Sequence, residues 1–171
     1  MGIIAKILGA VPRDEQNGIS LNLNEPFWEL AGETTFPCLL SELPPLLPPD
    51  SILYFEGDSP PENLQVFLAK ASIPEVSHIA FGTIWPRPQT YHVPASIENL
   101  SQLAKIMETK SYPELAIHFH IYVAGKVLLE WHDAFTQPML LCNSLTEEAV
   151  QKFSQVIGMK AKLVKPQPAI K

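Results

Sequence analysis

Three histidines and one glutamate are the side chains in this sequence whose types and spacing could do chemistry. His118 and His120 alternate along one apolar run, and Glu130 and His132 alternate along the next. Alternate residues of a β-strand point to the same side of the sheet. If the two runs are neighbouring strands, three imidazoles and a carboxylate share one face. Zinc or another divalent metal can use such a ligand set and keep one position for water.

The two runs are predicted to form a β-hairpin over residues 115–123 and 127–132, which turns around residues 124–126. A two-residue turn in regular register would place half of the large apolar side chains beside the histidines. A shift of one residue, through a three-residue or bulged loop, gathers them on one face instead. Burial is worth roughly 1.5–3 kcal/mol for each such side chain, so the shifted register is favoured.

In the shifted register His118 lies opposite His132, and His120 lies opposite Glu130. One hypothesis is therefore a metal-dependent enzyme, a hydrolase or a lyase. His118, His120 and His132 would be the ligands, and Glu130 would be a general base or would orient a ligand. Two alternatives stay open for the same residues: a polar sheet face that only meets solvent, and a patch that binds an anion or a protein partner.

The rest of the chain predicts an α+β fold in one domain, residues 1–159, with a mainly antiparallel sheet and two to three helices on one face. Further strands are expected over residues 51–56, 76–85 and 139–142. Helices are expected from Ser59, from Ser96 and before Gly158, where apolar residues recur at helical spacing.

Three segments are expected to lie outside this regular pattern. Residues 1–12 are predicted to form an apolar N-terminal helix. Residues 37–61 are rich in proline, so we expect them to be extended and to wrap the surface with their leucines on the core. Residues 160–171 carry four lysines and no acidic residue, and they are expected to form a flexible basic tail.

The charge of the chain is unevenly distributed. The formal net charge is −6, which disfavours binding to nucleic acid. Residues 14–69 hold ten acidic residues and neither lysine nor arginine. This stretch predicts a surface for a basic protein partner, because complementary charge raises association rates and selectivity. The candidate contacts on this surface are Glu25, Glu29, Glu33 and Glu42.

A proline-flanked loop offers a second candidate contact for a partner, through Arg87, Tyr91 and His92. No glycine-rich phosphate loop, nucleophile elbow or paired cysteine motif occurs in the sequence. Two distant cysteines are typical of reduced thiols, so we expect a cytoplasmic protein with no membrane span.

The balance of these features favours a small acidic interaction protein of the immunity or inhibitor type, without catalysis and without a cofactor. The metal enzyme, with zinc or another divalent ion, is the alternative hypothesis. A further alternative is a subunit of a larger complex. Neither the partner nor the oligomeric state follows from the sequence.

Overall fold

A computed structural model describes residues 18–57, 60–80, 89–108, 118–134 and 136–166. Within these ranges the chain forms one antiparallel sheet of seven strands in the order β3-β2-β4-β5-β6-β1-β7. The strands are β1 Phe27–Gly32, β2 Ile52–Gly57, β3 Gln89–Pro94, β4 Phe119–Val123, β5 Lys126–Trp131, β6 Met139–Cys142 and β7 Met159–Val164.

Four α-helices accompany the sheet in the described part of the chain, which confirms the α+β class. They are α1 Phe36–Glu42, α2 Glu62–Ala71, α3 Ile97–Met107 and α4 Glu147–Val156, and a short 3₁₀ helix, Pro44–Leu46, follows α1. The expected number was two to three, and α1 is the helix that was not anticipated. The predicted N-terminal helix, residues 1–12, lies outside the described residues.

The two faces of the sheet have different roles. Apolar side chains of one face, among them Leu53, Phe119 and Trp131, join the buried residues of all four helices in the main core. The opposite face carries a smaller cluster that includes Tyr54 and Tyr122. Because alternate strand residues point to opposite faces, His120, which lies between the core residues Phe119 and Ile121 of β4, is directed away from the helices.

The hairpin of β4 and β5 reaches its register through a bulge inside β5. Ala124 and Gly125 have φ of 48° and 75°, as a two-residue type I′ turn requires. Tyr122 pairs with Val127 but Ile121 pairs with Leu129, so Leu128 is the additional residue. The expected one-residue shift is thus present, although a bulge in the strand produces it and not a longer loop.

The proline-rich segment is largely helical over residues 37–46, where we expected an extended wrap. Thr35 caps α1 by accepting a hydrogen bond from the backbone N–H of Cys38 at 3.3 Å, and Pro37 occupies the first turn. Proline suits that position because the first N–H groups of a helix have no partner within the helix. The leucines of the segment do cover the core, since the following are buried: Leu39, Leu40, Leu43 and Leu46.

The predicted flexible tail is wrong for residues 160–164, which belong to β7. This strand pairs with β1 along its whole length, from Phe27 opposite Val164 to Gly32 opposite Met159. Met159 is buried on the core side while Lys160 and Lys162 are exposed. Lysines that alternate with apolar residues are compatible with an edge strand, where charge also discourages pairing with other chains.

The expected strand at residues 76–85 is also corrected. Residues 76–80 contribute only an isolated bridge, between Ile79 and Ile19, and residues 81–88 are outside the described part. The strand in this region is β3, so Tyr91 and His92 lie in the sheet and not in a loop. Pairing of β3 with β2 along six residues supplies hydrogen bonds that a loop would lack.

No helix in the described part of the chain is both long and apolar enough to cross a bilayer.

Candidate functional site

Four neighbouring strands bring their polar side chains into one row across the face that the helices leave uncovered. His92 on β3 lies opposite Tyr54 on β2, and Tyr54 lies opposite His120 on β4. His120 in turn lies opposite Glu130 on β5, as the shifted register predicted. The hairpin residues therefore belong to a larger site that extends over β2 and β3.

The three predicted metal ligands come together on this face. The ring centres of His120 and His132 are 4.9 Å apart, those of His118 and His132 are 5.2 Å apart, and those of His118 and His120 are 6.5 Å apart. A tetrahedral ion held by imidazole nitrogens at about 2.1 Å would place ring centres about 5 Å apart. Two of the three ring spacings are therefore close to those of a three-histidine metal site, and the separation of His118 from His120 is about 1.5 Å wider.

His120 is the most deeply buried member of the group, with 1% of its surface exposed. Neither of its ring nitrogens has a hydrogen-bond partner among the residues that the structure describes. Burial is the main cause that holds the pKa of His120 well below its ordinary value, and the nearby His132 and His118 lower it further. The ring is therefore neutral. A buried polar group without a partner costs about 1–3 kcal/mol and calls for an explanation such as a bound ion or water.

Glu130 connects the cluster to a distant part of the chain. Its Oε1 accepts a hydrogen bond from Nε2 of His132 at 2.9 Å, and its Oε2 accepts one from the backbone N–H of Leu21 at 2.8 Å. Both oxygens of this buried carboxylate are thus occupied. The arrangement suits a residue that orients His132 better than it suits a general base.

His118 is held in an orientation that opposes metal binding. Its Nδ1 accepts a hydrogen bond from the backbone N–H of Asp133 at 3.1 Å. Burial holds the pKa of His118 below its ordinary value, although the Glu56 carboxylate acts in the other direction. In the part of the chain that the structure describes, no group of three His, Cys, Asp or Glu side chains is already positioned to hold a metal ion.

Two further pairs border the cluster, and sequence reasoning did not single them out. The hydroxyl of Tyr54 donates to Oε1 of Glu56 at 2.6 Å, and burial and this carboxylate raise the pKa of Tyr54. Nδ1 of His92 lies 2.9 Å from the hydroxyl of Tyr122. The alternation of Tyr54 and Glu56 with apolar residues in the expected strand 51–56 was the signal that could have revealed the first pair.

The four glutamates predicted to meet a basic partner lie on separate parts of the fold. Glu25 is exposed in a turn, where it accepts a hydrogen bond from the Asn22 side chain at 3.0 Å. Glu29 is half-buried on β1 directly opposite Lys162, Glu33 is exposed after β1, and Glu42 ends α1. Trp28 and Leu30 of β1 enter the core beneath the helices, so Glu29 between them points to the opposite face of the sheet. Glu42 lies on the helical side, at the end of α1.

The residues of the second predicted contact, Arg87, Tyr91 and His92, do not form one exposed surface among the described residues either. His92 is 5% exposed, so it is buried in the row on the polar face and is not accessible to a partner. Tyr91 is half-buried, bonds to the Gln89 side chain and borders a cavity of about 510 Å³ beside α2. Arg87 lies outside the described residues.

Comparisons with protein families, with curated proteins and with solved structures give no match.

Proposed function

We propose that this protein binds a divalent transition-metal ion, with zinc as the reference case, through His118, His120 and His132. Imidazole is a common ligand for zinc and for other first-row transition metals. The neighbouring carboxylates Glu56 and Glu130 favour a cation over an anion at this place. A position left open on the ion would hold water, which is the chemistry of hydrolases and lyases.

The observation that supports this proposal most is the state of His120. A solvent-exposed polar face would satisfy its imidazoles with water, but His120 is 1% exposed and has no hydrogen-bond partner in the described part of the chain. Two further imidazoles have ring centres 4.9 Å and 6.5 Å from its own. A metal ion among the three rings would give His120 the partner it lacks.

Binding requires different changes at the other two ligands. Nε2 of His132 is engaged by Glu130, so the metal would be bound through Nδ1, as in the usual carboxylate–histidine–metal arrangement, and any other contact of this ring would have to give way. Nδ1 of His118 accepts the Asp133 N–H, so its neutral ring carries the proton on Nε2. His118 must exchange tautomer or turn its ring before it can bind.

Metal analysis of matched variants tests the proposal. The untagged protein is stripped with a chelator, reconstituted with zinc alone and analysed for bound metal beside His120→Gln, His132→Gln and His78→Gln. His78 is the control because it is exposed and paired with Glu75 at 2.9 Å, away from the cluster. We expect about one equivalent of zinc in the wild type and in His78→Gln and a loss in the other two.

Uptake of less than a tenth of an equivalent by the wild type would refute the metal assignment. Equal uptake by wild type and His120→Gln would refute the role of His120. Circular dichroism of each variant verifies that a lost ion does not reflect a lost fold.

A second candidate function, an interaction protein for a basic partner, has its own support. Among the described residues no lysine or arginine lies within ion-pair distance of Glu25, Glu29, Glu33 or Glu42. Their carboxylates are thus available to cations of another molecule.

Association kinetics test this second candidate. A partner recovered from native lysate is bound to the wild type, to the double variant Glu25→Gln/Glu33→Gln, and to Glu98→Gln as a control on α3. We expect the double variant alone to associate more slowly at low salt, by roughly tenfold at most. Equal association rates for all three proteins would refute the proposal that these carboxylates attract a basic partner.

A further inference from the structure

We infer that residues 18–25, which we call the strap, gate the histidine cluster, and that Glu130 is the latch that holds the strap closed. The inference rests on the proposed metal site and concerns how the ion enters and leaves it.

The strap is fixed to the polar face at two places. Ile19 donates its N–H to the carbonyl of His78 at 2.7 Å and accepts one from the N–H of Ala80 at 2.9 Å. Leu21 is 7% exposed and packs in the small apolar cluster with Tyr54 and Tyr122. The strap therefore lies beside the row of His92, Tyr54 and His120 and not out in solvent.

The latch is a single carboxylate with two bonds. Glu130 Oε2 accepts the N–H of Leu21 at 2.8 Å, and Oε1 accepts from Nε2 of His132 at 2.9 Å. A charged acceptor makes a hydrogen bond to a backbone N–H about twice as strong as a neutral one. One side chain therefore joins a proposed ligand to the strap, and opening the strap removes one of the two bonds that fix this carboxylate beside His132.

Gly18 permits the close approach of the strap to its neighbour. A Cβ at this position would lie 2.3 Å from the backbone nitrogen of Ala80 and 2.6 Å from the carbonyl carbon of Ile79. Real Cβ atoms do not come this close to backbone, so alanine at position 18 must separate the strap from residues 79–80. The chain thus offers a substitution that opens the strap without touching a histidine.

Two readouts test the gate. Hydrogen exchange at the Leu21 amide reports the latch directly, and transfer of zinc from the protein to an excess of chelator reports the gate. The proteins compared are wild type, Gly18→Ala, Glu130→Ala and the control Ser20→Ala, which changes a strap side chain only.

We expect faster exchange of the Leu21 amide in Gly18→Ala and Glu130→Ala, with wild-type exchange in Ser20→Ala. Zinc release should be faster in the same two variants. Glu130→Ala should also lose about 10–100-fold in zinc affinity, as is typical when the partner of a metal-bound histidine is removed.

The outcomes separate the gate from the metal site. Unchanged Leu21 exchange in Glu130→Ala would overturn the latch. Faster exchange in Gly18→Ala together with unchanged zinc release would overturn the gate and leave the metal site in place. A wild type that takes up no zinc would overturn both the proposed function and the gate, even if the exchange results hold.

Discussion

The backbone N–H of Asp133 donates a hydrogen bond to Nδ1 of His118 over 3.1 Å. Asp133 has a φ of 42°, in the left-handed region where aspartate is tolerated better than most residues. This turn directs the N–H of Asp133 back toward β4. Since Nδ1 accepts, the neutral ring of His118 has its proton on Nε2.

The first prediction concerns this tautomer. In the metal-free protein, ¹⁵N-resolved spectra of the histidine rings should show His118 with its proton on Nε2. Zinc should move the proton or shift the resonances of both ring nitrogens, because one of them becomes a ligand. A metal-free ring with the proton on Nδ1 would contradict the hydrogen bond with Asp133.

The second prediction is a loss of stability in acid that depends on His92. Burial lowers the pKa of His92, which His78 also lowers and Glu75 raises. The unfolded chain therefore takes up a proton at higher pH than the folded protein, and stability falls as the pH drops below about 6.5, the unperturbed value. One histidine adds at most about 1.4 kcal/mol per pH unit to this slope.

Chemical denaturation between pH 8 and pH 5 measures the effect of His92. His92→Gln should be less stable at pH 8, because a buried contact is lost, but its stability should decline less on acidification. Gln102→Ala serves as the control, since Gln102 is exposed on α3 and has no titratable side chain. If the unfolding free energies of the wild type and His92→Gln fall in parallel as the pH is lowered, His92 does not resist protonation in the folded protein.

The third prediction compares two residues of α3 that differ in burial. Leu100 is 1% exposed in the main core, whereas Ile97 is 71% exposed on the same helix. Leu100→Ala should cost about 2–5 kcal/mol of unfolding free energy through lost burial and a cavity. Ile97→Ala should change stability by less than about 0.5 kcal/mol. Similar losses for both variants in urea denaturation would show that α3 does not pack as described.

The fourth prediction uses the turn that sets the register of the hairpin. Ala124 has a φ of 48°, and a left-handed conformation costs an ordinary residue about 1–2 kcal/mol. Asparagine suits this position before Gly125, so Ala124→Asn should stabilise the protein by roughly 0.5–1 kcal/mol.

Ala69→Asn is the control, for which we expect the opposite change in stability. Ala69 is exposed in α2, where asparagine is a poorer helix former, so a loss of about 0.5 kcal/mol is expected there. A loss of stability in Ala124→Asn as well would argue against the two-residue turn. Thermal unfolding of both variants measures the difference.

The sequence by itself determined the local pattern of the hairpin. Alternation of apolar and polar residues has a period of two, and burial of the apolar set favours one register, so the pairing of His120 with Glu130 could be predicted. The same argument placed three imidazoles on one face. It did not find the bulge at Leu128, because either a longer loop or a bulge produces the same shift.

Only the tertiary structure decided which distant segments complete the site. The positions of Tyr54 and His92 beside His120 follow from the order of the strands, and the contact of Leu21 with Glu130 joins residues 109 positions apart. Such contacts depend on which segments compete best for the same hydrogen bonds and apolar surface of the folded sheet. A local periodicity carries no information about that competition, and so β1, β3 and β7 were not anticipated.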